Sequence, residues 1–182
     1  MREPNDKGIS LIELIIVIAI MSILIGVIAP QYLKYVERSK RVRDADTAVK
    51  IHDAFDRVLI DAEVSSSLFS GVSITESGVS GNYVAEWSPC KDLDPTGAHK
   101  SDPLISQVLN ELGSDPESAT FDKYVWVVEL DHELGCVRRI ELVNFSSGAP
   151  DIVNGRPGAY ELWPDSSTFR SGGELEGTKI YR

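Results

Sequence analysis

Polar and apolar positions are divided very unevenly along the 182 residues of this chain. From Leu14 to Leu33 twenty consecutive residues carry no charge, LIIVIAIMSILIGVIAPQYL. A helix rises about 1.5 Å per residue, so this run matches the roughly 30 Å hydrocarbon core of a bilayer. A buried core helix that is apolar all round needs a much larger protein around it. A cleaved secretory signal needs a shorter apolar stretch, a basic start and a small-residue cleavage site, whereas here the start is net neutral and the aliphatic stretch leads into Pro30-Gln31-Tyr32. A membrane-spanning helix is the expectation.

The period then changes. Ala45, Ala48, Val49, His52, Phe55, Val58, Leu59 and Ala62 recur every three or four residues, which predicts an amphipathic helix over residues 34–63. Joined to the apolar run it gives one helix from Ile9 to Glu63, about 80 Å long. Pro30 lacks an amide donor and Gly26 lies one turn earlier, so a break or kink is expected there. Residues 64–82 are rich in Ser and Gly and read as a loop with at most an edge strand. Tyr83–Trp87 is a short strand. Asp102-Pro103 followed by Leu104, Ile105, Val108, Leu109 and Leu112, then Gly113, has the start, stripe and stop of a helix. YVWVVELD (124–131) and CVRRIELVNF (136–145) form a hairpin across His132-Glu133-Leu134-Gly135. Ala159–Trp163 and Thr178–Tyr181 are further strands, separated by a polar tail loop. The expected fold class is α+β, a long N-terminal helix packed on an antiparallel β-sheet.

Charge sharpens the division. The net charge of −10 is carried almost entirely by residues 64–182, which hold nine basic and eighteen acidic side chains. An acidic head of this kind excludes a basic nucleic-acid module held by bulk electrostatics. Residues 34–43 run the other way, with Lys34, Arg38, Lys40, Arg41 and Arg43 against Glu37. The only charge between residues 9 and 33 is Glu13. A carboxylate in a membrane helix costs about 2.5–3.5 kcal/mol and usually has a partner. It either has one here or marks the helix end at the headgroups.

The stretch Lys7-Gly8-Ile9-Ser10-Leu11-Ile12-Glu13-Leu14-Ile15-Ile16, continuing through Pro30-Gln31-Tyr32 and Tyr35, resembles the class III signal of type IV prepilins and pseudopilins. The resemblance covers residues 7–40. It implies a leader, residues 1–8, cut after Gly8 by a prepilin peptidase, N-methylation of Ile9, and Glu13 as fifth mature residue, with a role in assembly. It implies a helix whose half at 9–33 spans the membrane and then the filament core, an amphipathic half at 34–63, and a head at 64–182. The function it implies is that of a structural type IV pilus subunit. The alternative is a pseudopilin of a type II secretion or competence system, and a remote one is a single-pass membrane-anchored binding protein. The implied partners are copies of itself, the assembly platform, minor pilins and, for the precursor, the cytoplasmic membrane. The assembled filament is extracellular. The basic residues after the span oppose the positive-inside rule, yet the cleavage site fixes the leader on the protease side.

No catalytic role is expected, because no Gly-x-Ser-x-Gly, phosphate loop or His-Glu-x-x-His occurs and nothing links Ser, His and Asp as a triad. His52, His99 and His132 have no metal-triad spacing. Asp92, Asp94 and Asp102, or Asp165, Glu174 and Glu176, offer oxygen ligands of the kind calcium takes, and some pseudopilins carry such a loop near the C-terminus. Without EF-hand spacing a solvated acidic surface is favoured, and no cofactor is expected. Tyr32 and Tyr35 read as interfacial anchors in preference to an electron-transfer stripe. Cys90 and Cys136, the only cysteines, are expected to form a disulfide outside the cytoplasm; two buried thiols are the alternative.

Overall fold

The computed structural model describes residues 10–60, 75–76, 82–87, 103–131, 134–145, 152–154, 156–177 and 179. The chain divides into two units, Met1–Glu37 and Arg38–Arg182. One helix, α1 (Leu11–Ile60), contributes to both. It passes through Gly26 and Pro30 without interruption, so the expected break is not a helix end. Pro30 removes the bond that its amide would have given the Gly26 carbonyl and its ring crowds that carbonyl, a disturbance that a helix can absorb as a bend without ending.

In the second unit α1 is followed by β1 (Thr75–Glu76), β2 (Asn82–Trp87), α2 (Pro103–Leu112), β3 (Tyr124–Asp131), β4 (Cys136–Asn144), β5 (Ile152–Val153), β6 (Arg156–Trp163), α3 (Ser167–Ser171) and β7 (Glu176–Gly177). The strands form an antiparallel sheet in the order β1-β2-β3-β4-β6-β5, with β7 also paired to β6. The β3–β4 hairpin lies where the β-branched and aromatic runs predict it, with Tyr124 opposite Asn144 and Asp131 opposite Cys136. Gly135 takes a φ of +62°, a left-handed turn that glycine adopts at no steric cost. Gly113 does the same at the end of α2, with φ +75°, and its amide bonds back to the Leu109 carbonyl at 3.0 Å.

β3 is buried on both faces, and its alternate residues belong to two clusters. Tyr124, Trp126, Val128 and Leu130 join Ala48, Ile51, Ala54, Phe55 and Leu59 of α1, Leu104, Ile105 and Val108 of α2, and Ile140, Leu142, Leu162 and Phe169. Val125 and Val127 join Val84, Val143 and Ala159 on the opposite face. The period of two in the strand thus sorts one valine-rich run into two packed layers. The Trp126 indole and Tyr124 hydroxyl both donate to the Pro116 carbonyl, at 3.0 and 3.3 Å, which satisfies the polar ends of two buried aromatics.

The stripe on α1 differs from the sequence reading in detail. Ile51 and Ala54 are buried, while Val49 is 43% exposed. The tail loop is not featureless, because it contains α3 and β7. Phe169 of α3 is 1% exposed and packs at a tilt against Tyr160 and Phe121, at centroid distances of 5.1 and 6.3 Å. The last strand among the described residues is Glu176–Gly177, and of the expected Thr178–Tyr181 only Lys179 is described.

Candidate functional site

The first half of α1 is a helix built to be covered. Its large apolar side chains between Leu11 and Leu33 are from 44% (Val17) to 76% (Leu11) exposed. Complete burial of each such side chain stabilises by about 1.5–3 kcal/mol, so water is an unfavourable surrounding for the whole segment. By length and composition it is able to cross a membrane. Its polar content is small and mostly satisfied within the helix. The Ser22 hydroxyl donates to the Ile18 carbonyl at 2.7 Å, so it needs no partner from outside.

Glu13 is the exception. It lies in the first turn of α1, where the Leu14 amide already bonds to the Ser10 carbonyl and the positive end of the helix dipole favours a carboxylate. Among the described residues nothing pairs with it. Gly8 and Ile9, the expected cleavage and methylation sites, lie outside those residues, whereas Gly26 and Pro30 lie within the helix. The segment can therefore do one kind of chemistry. It can move between apolar environments while presenting a single carboxylate near its start.

Of the acidic residues Asp165, Glu174 and Glu176 considered as oxygen ligands, Glu176 lies in a group of charges around Lys179. The Lys179 ammonium lies 2.6 Å from Glu161 Oε2 and 3.3 Å from Glu176 Oε2, and the hydrogen bond to Glu161 raises its pKa, aided by Glu176. Its backbone amide donates to Glu141 Oε1 at 2.9 Å. The Lys179 ammonium thus bridges the Glu161 and Glu176 carboxylates. Asp165 instead accepts the Ser167 amide at 2.9 Å, a bond that lowers its pKa and satisfies an amide at the start of α3. Among the described residues no three His, Cys, Asp or Glu gather as a metal-binding group. Asp92, Asp94 and Asp102 lie outside them, as do His99 and His132. His52 stacks on Trp163 at 4.0 Å.

Cys136 opens β4, half-buried and with no disulfide partner among the described residues. Burial raises its pKa first, then the nearby charges of Asp131 and Asp56, with Arg138 opposing. Cys90 lies outside the described residues, and so does the expected pairing.

Two anchoring features were not identified from the sequence. Asp44 is fully buried and accepts bonds from the Ser118 hydroxyl at 2.8 Å, the Thr120 amide at 3.0 Å and the Ala119 amide. It lies on the stripe of Ala48, Ile51 and Phe55 at spacings of four, three and four, so a carboxylate on an apolar face was the available signal. Arg41 lies over the Phe169 and Tyr160 rings at 5.2 and 5.8 Å and donates to the Phe169 carbonyl at 3.3 Å. Arg170 bonds Asp46 at 2.9 Å, so two contacts dock α3 on α1. No pattern in the sequence marks this pairing.

Comparison with known proteins adds two findings. The prokaryotic N-terminal methylation motif matches residues 4–29. Three type IV major fimbrial proteins FimA of Dichelobacter nodosus are similar to the chain. One is 36% identical over 94 residues, 52% of this chain and 56% of the relative. The others are 37% and 35% identical over 66 residues, 36% of this chain and 42% of each relative. The chain spans about half the length of the curated relatives it matches. No solved structure is a significant match.

Proposed function

From a chain that is homologous to type IV major fimbrial proteins and carries a prepilin-type methylation motif, we propose that this protein is the structural subunit of a type IV pilus. The observation that carries the reading is the coincidence of that motif, at residues 4–29, with an exposed apolar helix whose one charge is Glu13. The precursor is held in the cytoplasmic membrane by residues 9–33, with the leader on the cytoplasmic side. A prepilin peptidase cuts after Gly8, and Ile9 becomes the methylated N-terminus. The subunit then leaves the bilayer for the core of a filament, one apolar environment replacing another. Direction comes from Glu13, whose carboxylate meets the protonated amino group of Ile9 on a neighbouring copy. Such a contact joins unlike surfaces of identical subunits and repeats without closing, which generates a fibre. No step of this requires the chain to catalyse a reaction or to hold a cofactor. The assembly platform and minor pilins are the remaining partners.

Intact mass of the protein from sheared surface filaments tests the reading. The expected mass lacks residues 1–8 and carries one additional methyl group, and Gly8→Leu leaves the leader in place. Filaments built from chains that retain Met1–Gly8 would overturn it. Long surface fibres are the expected product, whereas short stubs confined to the envelope would indicate a pseudopilin.

A further inference from the structure

We propose that Lys34, Arg38 and Lys40 form a collar that binds the phosphates of anionic phospholipids at the membrane face where α1 emerges, holding the subunit at a set depth. The proposal rests on the pilin reading in taking that depth as the position from which the subunit is drawn into a filament, and in placing the leader on the cytoplasmic side.

Four observations carry it. The uncharged run ends at Leu33, and α1 continues unbroken, so the three cations follow the hydrocarbon within about 10 Å along the axis. That is close to the depth of the headgroup layer once long side chains bend toward the phosphates. Tyr32 and Tyr35, 61% and 71% exposed, flank the same boundary, where amphipathic rings settle at the headgroups.

All three side chains are exposed, and among the described residues none meets a carboxylate. Arg41 differs, being turned onto the Phe169 and Tyr160 rings.

Their spacing also distinguishes the partner. At 3.6 residues per turn, Arg38 is about 40° from Lys34 around the helix, while Lys40 is about 160° from Arg38. A protein partner would meet one stripe of the helix. Charges facing opposite sides suit a ring of lipids that surrounds it.

Finally, the cations are not an orientation signal. Lys and Arg after a span draw that end toward the cytoplasm, against the orientation that cleavage at Gly8 requires. Juxtamembrane Lys and Arg attract anionic headgroups by about 1 kcal/mol each, and this attraction gives the collar a role on the side where it emerges.

The test uses the full precursor in phosphatidylcholine vesicles containing phosphatidylglycerol, with spin-labelled forms of each lipid as probes of the shell around the protein. The expected result is an enrichment of the anionic label of about fivefold at low ionic strength, declining as salt is added. Lys34→Gln/Arg38→Gln/Lys40→Gln removes the enrichment, and Lys34→Arg/Arg38→Lys/Lys40→Arg retains it, which separates charge from misfolding. Equal labels around the unaltered chain would overturn the proposal, as would a preference that survives the triple glutamine variant. A collar-dependent cross-link between copies in vesicles free of anionic lipid, with no label preference, would overturn it in favour of a second copy as partner. Treating the same vesicles with prepilin peptidase keeps the two readings apart, since a chain that is not cut after Gly8 fails as a pilin whatever its lipid preference.

Discussion

Asp44 is the residue on which the second unit places its most exacting polar demand. A fully buried carboxylate is costly unless its lone pairs are satisfied, and here one hydroxyl and two backbone amides from Ser118–Thr120 converge on it. The contact ties the segment before β3 to α1. Asp44→Ala leaves the Ser118 hydroxyl and the Ala119 amide without their acceptor, while the Thr120 amide keeps its bond to Ser118 Oγ at 3.2 Å, and each unsatisfied buried group costs about 1–3 kcal/mol. A loss of about 3 kcal/mol is expected in denaturant unfolding of the full chain in mild detergent, with faster hydrogen exchange at the Ala119 and Thr120 amides. Asp44→Asn should lose less, because one oxygen still accepts while the amide group opposes a donor. Unchanged exchange in both variants would show that the carboxylate is dispensable. Cys136 makes a second residue-scale case. Burial and the charges of Asp131 and Asp56 disfavour its thiolate, so alkylation of the unreduced protein should be slow at neutral pH and rise only above the usual thiol range. Asp131→Asn should move that rise to lower pH and Arg138→Ala to higher pH. No alkylation at any pH before reduction, with a thiol appearing after it, would instead reveal the bond to Cys90.

Elements were legible in the sequence where a period ran long enough to be read. The ten residues of α2 carry a start, a stripe and a stopping glycine, and the structure has a helix at Pro103–Leu112. The runs of β3 and β4 are rich in Val, Ile and aromatics, which fit a pleated surface, and their pairing follows from the short turn between them. The five residues of α3 are too few to display a helical period, and one Phe among polar neighbours carries no pattern. Its position is decided by contacts distant in sequence, namely Arg41 and Asp46 on α1 and Tyr160 on β6. Burial of Glu129 and Glu141 was equally unreadable, since it follows from how neighbouring strands surround them. Phe169→Ala should therefore cost about 3–5 kcal/mol, the range for a large aromatic removed from a packed core. It should also release α3, seen as proteolysis near Arg170 at protease levels that leave the unaltered protein intact. Cleavage elsewhere, with residues 167–171 still protected, would mean that α3 is held by the Arg170–Asp46 pair and not by its phenylalanine.

At the scale of the whole molecule, the proposed pilin function asks one carboxylate near the start of an apolar helix to direct assembly. The apolar surface between Leu11 and Leu33 favours burial in lipid and in a bundle of like helices alike, so it supplies cohesion without choosing an end or a register. Glu13 can supply that choice, since it is the one charged group on the segment and lies in its first turn. In a low-dielectric core its attraction to a protonated amino terminus far exceeds the value in water. Glu13→Leu removes an intramembrane charge, so insertion of the precursor should be unchanged or improved, and cleavage after Gly8 should continue. Filament number should nevertheless fall sharply, because the incoming chain loses the contact that seats its N-terminus against the growing end. Glu13→Gln isolates charge from shape, since the amide preserves length and some hydrogen bonding, and it should resemble Glu13→Leu more than the unaltered chain. Counting filaments by electron microscopy, alongside precursor and mature protein in the membrane, separates the outcomes. Normal filaments from both variants would reduce Glu13 to a marker of the helix end. Loss of the precursor itself from the membrane would place the defect in insertion, and the assembly role would fall with it.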